Sequence, residues 1–302
     1  MTIDVRDPRM RDLIAPDATL DRIATGFGFT EGPVWHPGEG WLMFSDIARS
    51  VQHRWTPDGA LSVFRTPSNQ ANGNCLDREG RIVTCEHAAS RLVRHEHDGK
   101  LVRPLATHWN GRELNSPNDV ICDTRGRIWF TDPTYGRIRP DLGLVRDPEQ
   151  DASGVYRLDP DGTLARVADD HEQPNGLCLS ADERTLWVND TPRGHVRAWD
   201  VAPDGTLAGG AVWAEVRGEG KGAVDGMKVT ACGHMLVNGP GGVHVHALSD
   251  ARSLGVIRTP EMSTNFCLGG PDRTTLFVTA TTSVYRIATR LRGLPMIPGR
   301  AP

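Results

Sequence analysis

No stretch of this chain carries apolar side chains at the i, i+3, i+4, i+7 spacing of a buried helix face, so helical bundles and helical repeats are excluded. No segment approaches the roughly 20 apolar residues needed to span a membrane as a helix. The N-terminal MTIDVRDPRMRD is charged and has no apolar run of the secretory kind, which makes a cytoplasmic protein the expectation. The six cysteines form no CxxC pair. Cys75, Cys122, Cys178 and Cys267 are expected to be buried thiols acting as small hydrophobes rather than disulfide partners. Basic excess is missing too. A net charge of −4 and a pI near 6.3 argue against a nucleic-acid partner.

What the chain does have is a phrase repeated six times. Each copy opens on an acid or amide, runs into a short apolar strand, turns, and returns through a strand rich in Val, Ile, Leu and Trp. The copies begin at Glu31 (EGPVWHPGEGWLMFSDI), Asn72 (NGNCLDREGRIVTCEH), Asn118 (NDVICDTRGRIWFTDPTYG), Asn175 (NGLCLSADERTLWVNDT), Asp225 (DGMKVTACGHMLVNG) and Asn265 (NFCLGGPDRTTLFVTAT). Their starts are 41, 46, 57, 50 and 40 residues apart, the period of a four-stranded blade. Between the phrases lie second hairpins breaking at Asp-Gly, as in 91–105, 154–168 and 195–215, the dipeptide of tight hairpin turns. The 33 glycines and 21 prolines suit a chain full of turns.

The fold class expected is therefore all-β, a six-bladed β-propeller with a metal site in its central channel. The ring occupies 19–290, between an N-terminal extension (1–18) and a C-terminal tail (291–302). Only one strand, 283–290, follows the sixth phrase. The orphan strand 19–25 is expected to complete that blade and close the ring.

In such a ring the phrase starts share one orientation. Two carboxylates (Glu31, Asp225) and four amides (Asn72, Asn118, Asn175, Asn265) then surround one point with a charge of −2. Hard oxygen donors suit Ca²⁺, with Mg²⁺ or Mn²⁺ as alternatives; histidine is absent from all six positions, which disfavours the usual Zn²⁺ pattern without removing Zn²⁺ from the candidates. The competing explanation is that Asn or Asp before Gly is ordinary turn chemistry. The ends of the returning strands (Ser45-Asp46, Glu86-His87, Asp132 to Tyr135, Asn189-Asp190, Asn238, Thr281) are expected at the rim, with the charged loop 137–153 as a partial lid.

The stretches FTEGPVW (29–35), LNSPNDVICDTRGRIWFTDPTYG (114–136), PNGLCLSADERTLWVND (174–190) and DGMKV (225–229) resemble the family of regucalcin (senescence marker protein), bacterial gluconolactonases and diisopropyl fluorophosphatase. The resemblance runs from about Gly26 to Tyr285 and is greatest to the gluconolactonase branch. It implies one divalent cation held by Glu31, Asn118, Asn175 and Asp225. It also implies Asp225 as the catalytic general base, or as nucleophile in the phosphatase branch. The expected activity is hydrolysis of a sugar lactone, such as gluconolactone, to the aldonic acid. Asn72, His87, Asn118, Tyr135 and Asn265 are the expected substrate contacts. One departure stands out: where the regucalcin branch has a sugar-contacting Arg, this chain has Ser116. The alternatives are a phosphotriester hydrolase on the same site and a non-catalytic calcium-binding propeller. Oligomeric state is left open.

Overall fold

The computed structural model describes residues 3–15, 17–96 and 101–299. Six antiparallel sheets stand around an axis, one for each phrase. From the axis outward, the first blade is Thr30–His36, Trp41–Asp46, Val51–Trp55 and Leu61–Arg65. The second runs Ala71–Leu76, Ile82–Glu86, Arg91–His95 and Val102–Ala106, and the third Val120–Cys122, Ile128–Asp132, Ser153–Leu158 and Leu164–His171. The fourth comprises Pro174–Leu179, Thr185–Asp190, His195–Val201 and Leu207–Glu215. The fifth begins with Met227–Val229, His234–Gly239, Gly242–Ala247 and Ser253–Arg258. The sixth holds Ser263–Gly269, Thr275–Ala280 and Ser283–Ala288, and its outer strand is Asp21–Thr25 from the start of the chain. That strand runs antiparallel to Ser283–Ala288, with Asp21 opposite Arg286 and Thr25 opposite Ser283. The ring is closed as expected, by a blade drawn from both ends of the sequence.

The Asp-Gly hairpins behave as their chemistry requires: Gly59, Gly162 and Gly205 all have positive φ. The Asp98-Gly99 turn lies outside the described residues.

The hydrophobic core is not one mass but a ring of six clusters, one in each gap between neighbouring blades. Val83, Leu92, Phe130 and Tyr156 fill the gap between the second and third blades. Leu177, Val188, Trp129 and Trp199 fill the next. This follows from strand alternation: each blade buries both faces against its neighbours. The N-terminal segment joins this packing. Ile3–Val5 adds a fifth strand to the fifth blade, Ile3 opposite Ile257, and Met10 and Ile14 enter the cluster between the fifth and sixth blades. At the other terminus Leu291 and Ile297 are buried in two different clusters. No disulfide joins the six cysteines. No helix among the described residues is long and apolar enough to cross a membrane.

Candidate metal centre and active site

At four of the six phrase starts the innermost strand breaks its register against the second strand: between Glu31 and Val34, Ala71 and Asn74, Pro174 and Leu177, and Ser263 and Asn265. In the third and fifth blades the regular ladder begins only after the phrase start, at Val120 and Met227. Bulges re-aim side chains next to sites and interrupt strict alternation.

The glycine after the phrase-start residue has a tertiary cause. A Cβ on Gly32 would lie 2.0 Å from the Asn72 carbonyl oxygen. On Gly73 it would lie 2.4 Å from that of Asn118, on Gly176 2.2 Å from that of Asp225, and on Gly226 2.1 Å from the Asn265 side chain. Each glycine thus admits the phrase start of the next blade. Only Gly32 of the four has a positive φ, so turn chemistry does not account for the repeated dipeptide. The third and sixth blades break the pattern with Asp119 and Phe266.

Second-strand side chains hold the same backbone from outside. Ser45 Oγ donates to the Asn72 carbonyl (2.7 Å), Thr131 Oγ1 to that of Asn175 (2.8 Å), and Asn189 Nδ2 to that of Asp225. The acids ending these strands do not rim the channel. Asp46 accepts the N–H groups of Gly28 and Phe29, Asp132 that of Asn115, and Asp190 those of Glu172 and Gln173; Glu86 takes Asn69 Nδ2. All four carboxylates are fully buried and pin the chain as it enters their own blade.

Glu31 is 3 % exposed, and its Oε2 accepts the Gly32 N–H (2.7 Å) and Asn265 Nδ2 (3.0 Å). Burial first, then the charge of Asp119, raises its carboxyl to about 7. Asp225 is half-buried, and Asn175 hydrogen-bonds its carboxyl. Its pKa stands well above the carboxylate range because of burial, then the charges of Glu31 and Asp119. Asn72, Asn118 and Asn175 are buried as well, Asn175 bonded to Asp225, and Asn72 Oδ1 is buried with no hydrogen-bond partner. Crowded carboxylates with raised pKa values and an unpaired amide oxygen are what a hard cation would relieve, so the donor set fits one. Among the described residues no three His, Cys, Asp or Glu side chains gather closely enough to hold a metal by themselves, so such a cation would depend on amide oxygens.

Other expected site residues are employed differently. Asn265 spends both ends of its side chain on protein: Nδ2 on Glu31 and Oδ1 on the Phe266 N–H (2.9 Å). It thereby supports Glu31. His87 is 1 % exposed. Its Nδ1 faces the Leu142 carbonyl (2.9 Å), which can only accept, so Nδ1 carries the proton and Nε2 accepts from Asn72 Nδ2 (3.1 Å). Burial lowers its pKa to about 4, so it is neutral and reaches the channel only through Asn72. Tyr135 opens a short helix, Tyr135–Ile138; burial raises its phenol to about 12. Ser116 donates to the Pro133 carbonyl and accepts the Gly136 N–H, which makes it a loop pin.

Loop 137–153 is strongly anchored. Arg137 is 1 % exposed and bonds the Asn115 and Leu114 carbonyls and Glu113; Arg146 bonds Ser90 and Glu113. The loop is also tied to His87 through the Leu142 carbonyl. Sequence reasoning missed two residues of the channel. Asp119 was hidden inside the Asn-Asp pair of the third phrase, and Lys228 inside DGMKV. The signal available was that Asp119 stands where four other phrases carry glycine.

Residues 29–282 match the family model described as SMP-30/Gluconolactonase/LRE-like region. The chain is 29% identical to a gluconolactonase of Zymomonas mobilis over 95% of this chain and 85% of that protein. It is 29% identical to the pentonolactonase XacC of Haloferax volcanii over 86% of this chain and 84% of that protein. The solved structure of a gluconolactonase from Xanthomonas campestris superposes with a TM-score of 0.89 at 33% identity, covering 96% of this chain and 95% of that one.

Proposed function

The chain belongs to the SMP-30/gluconolactonase/LRE-like family, and from that premise we propose that it is a hydrolase opening a sugar lactone to the aldonic acid at the phrase-start end of its channel. The observation that carries the reading is the convergence of Glu31 and Asp225 with Asn72, Asn118 and Asn175 around one buried channel of this family's propeller.

Glu31, Asn118, Asn175 and Asp225 are the residues that would hold a divalent cation, Ca²⁺ by the hardness of their oxygens. When bound, it supplies Lewis-acid polarisation of the lactone carbonyl. Ionised by the charge a cation would bring, the Asp225 carboxylate would take the proton of the attacking water, and Asn175 fixes its orientation. Asn265 and the Gly32 amide fix Glu31. Asn72 has Oδ1 free to accept from a sugar hydroxyl, while neutral His87 holds its amide in place. Tyr135, on the rim, completes the substrate wall.

The test is acid release from a panel of aldonolactones, followed with a pH indicator, before and after EDTA and with Ca²⁺, Mg²⁺, Mn²⁺ and Zn²⁺ restored singly. Turnover lost to EDTA and returned best by Ca²⁺ is expected. Turnover of phosphotriesters but not lactones would move the assignment to the phosphatase branch. No turnover of either would leave a calcium-binding propeller.

A further inference from the structure

Lys228 lies on the inner strand of the fifth blade, three residues beyond Asp225. Its Nζ is 3.6 Å from Oδ2 of Asp119, with side chains 28 % and 4 % exposed. Asp119 Oδ1 accepts the Val120 N–H (2.9 Å), but Oδ2 is buried and receives no hydrogen bond. The ammonium is therefore what compensates that oxygen. A buried carboxylate without such a partner would be costly. Asp119 is no bystander: its charge acts on both Glu31 and Asp225, and Lys228 acts on Glu31 in the opposite sense.

Three carboxylates and one ammonium thus share the channel; with the acids ionised, as a bound cation would leave them, the net charge is −2 where the acids alone would give −3. Asp119 can enter the ring because the third blade lacks the glycine that elsewhere admits the next blade. The acid that takes its place brings a charge the site must offset from across the channel.

We propose that Lys228 is the charge-setting residue of the channel: by pairing with Asp119 it holds the site at −2 and so matches it to divalent rather than trivalent cations. This rests on the reading that the channel binds a divalent cation. Lys228 is a positioning residue in this scheme; its effect reaches the cation through Asp119 and through space.

The experiment is direct titration of metal-stripped protein with Ca²⁺ and, separately, Tb³⁺, using wild type, Lys228→Met, Lys228→Arg, Asp119→Asn and the Lys228→Met/Asp119→Asn pair. Coulomb energy scales with ion charge. Lys228→Met is expected to tighten Ca²⁺ by about tenfold or more and Tb³⁺ by a larger factor, the logarithms of the two changes standing near 2:3. Asp119→Asn is expected to weaken both, Tb³⁺ more. The double variant should return to within about threefold of wild type, and Lys228→Arg should resemble wild type. Equal changes for the two ions, a weakened Ca²⁺ in Lys228→Met, or a double variant no better than Asp119→Asn overturns the proposal. Should Lys228→Met fail to fold, Asp119→Asn carries the same reading with the sign reversed. A wild type that binds neither ion sinks the cation reading itself, whereas binding that ignores ion charge sinks this inference alone.

Discussion

The two ends of the channel are built from the same strands a few residues apart, yet they are chemically opposite. At one end the phrase starts gather Glu31, Asp225 and Asp119 among amides. At the other, a cavity of about 430 Å³ is lined mostly by apolar side chains such as Val34, Leu76, Ile121, Leu179 and Val229, with the thiols of Cys75, Cys122, Cys178 and Cys267 among them and Lys228 and Glu183 in its wall. Burial drives Cys122, Cys178 and Cys267 up to about 12 and raises Cys75 well above the usual thiol range, so these thiols are protonated and inert. The scaffold serves both ends equally. Function is proposed where burial leaves charges uncompensated by the protein, because only there does a cation gain from binding.

The sharpest test of that contrast is Asp225→Asn, which keeps an oxygen but removes the proton acceptor. It should lower lactone kcat by about 10²-fold or more while metal binding survives in weakened form. Near wild-type turnover, with metal occupancy checked directly, would exclude Asp225 as the base.

Gly176→Ala probes the packing that brings the phrase starts together. Its Cβ would meet the Asp225 backbone oxygen at 2.2 Å, so a loss of about 2–3 kcal/mol is expected in urea unfolding. An unchanged midpoint would show that the blades give way freely.

A third expectation concerns pH. Glu31, at about 7 without metal, and Asp225 hold protons that the unfolded chain has released above about pH 4.5. Folded-state pKa values above the unfolded ones mean that these two acids oppose folding increasingly as pH rises from about 4.5 through 7. Buried His87 acts oppositely: its lowered pKa adds stability above about 6.5 that is lost toward 4. Histidine effects are common to both metal states and cancel in their difference. The rise in Tm on adding saturating Ca²⁺ should therefore be larger at pH 7.5 than at pH 5, by about 3 °C or more. A Ca²⁺ effect independent of pH would show that the carboxylates are not its target.

The smallest effect belongs at the far end. Cys267→Ala should leave kcat/KM within about twofold and cost about 1 kcal/mol of stability, the loss of one buried sulfur. A large loss of activity would mean that the two ends are not separate.

The six phrases made the blade count readable, and the short last blade with its orphan strand at 19–25 made closure readable. Both are pattern properties of period and strand number, and Asp21–Thr25 pairs where that pattern required. The Glu, Asn and Asp residues of the phrase starts were legible for the same reason. His87 and Asn265 were assigned to substrate because period-2 alternation points them at the channel. What the pattern could not show is their hydrogen bonding: His87 Nδ1 faces the Leu142 carbonyl and Asn265 Nδ2 holds Glu31. Strand-end acids looked like a rim and proved to be pins for their own blades.

By itself, then, the sequence determined a closed ring of six blades and the oxygen-rich line of residues that opens each one, since repetition writes both directly into the order of amino acids. Only the tertiary structure decided which of those oxygens remain free, which charges face each other, and that Lys228 answers Asp119 across 109 residues of chain. Such pairings depend on distances between blades, and no local propensity or spacing encodes a distance across a channel.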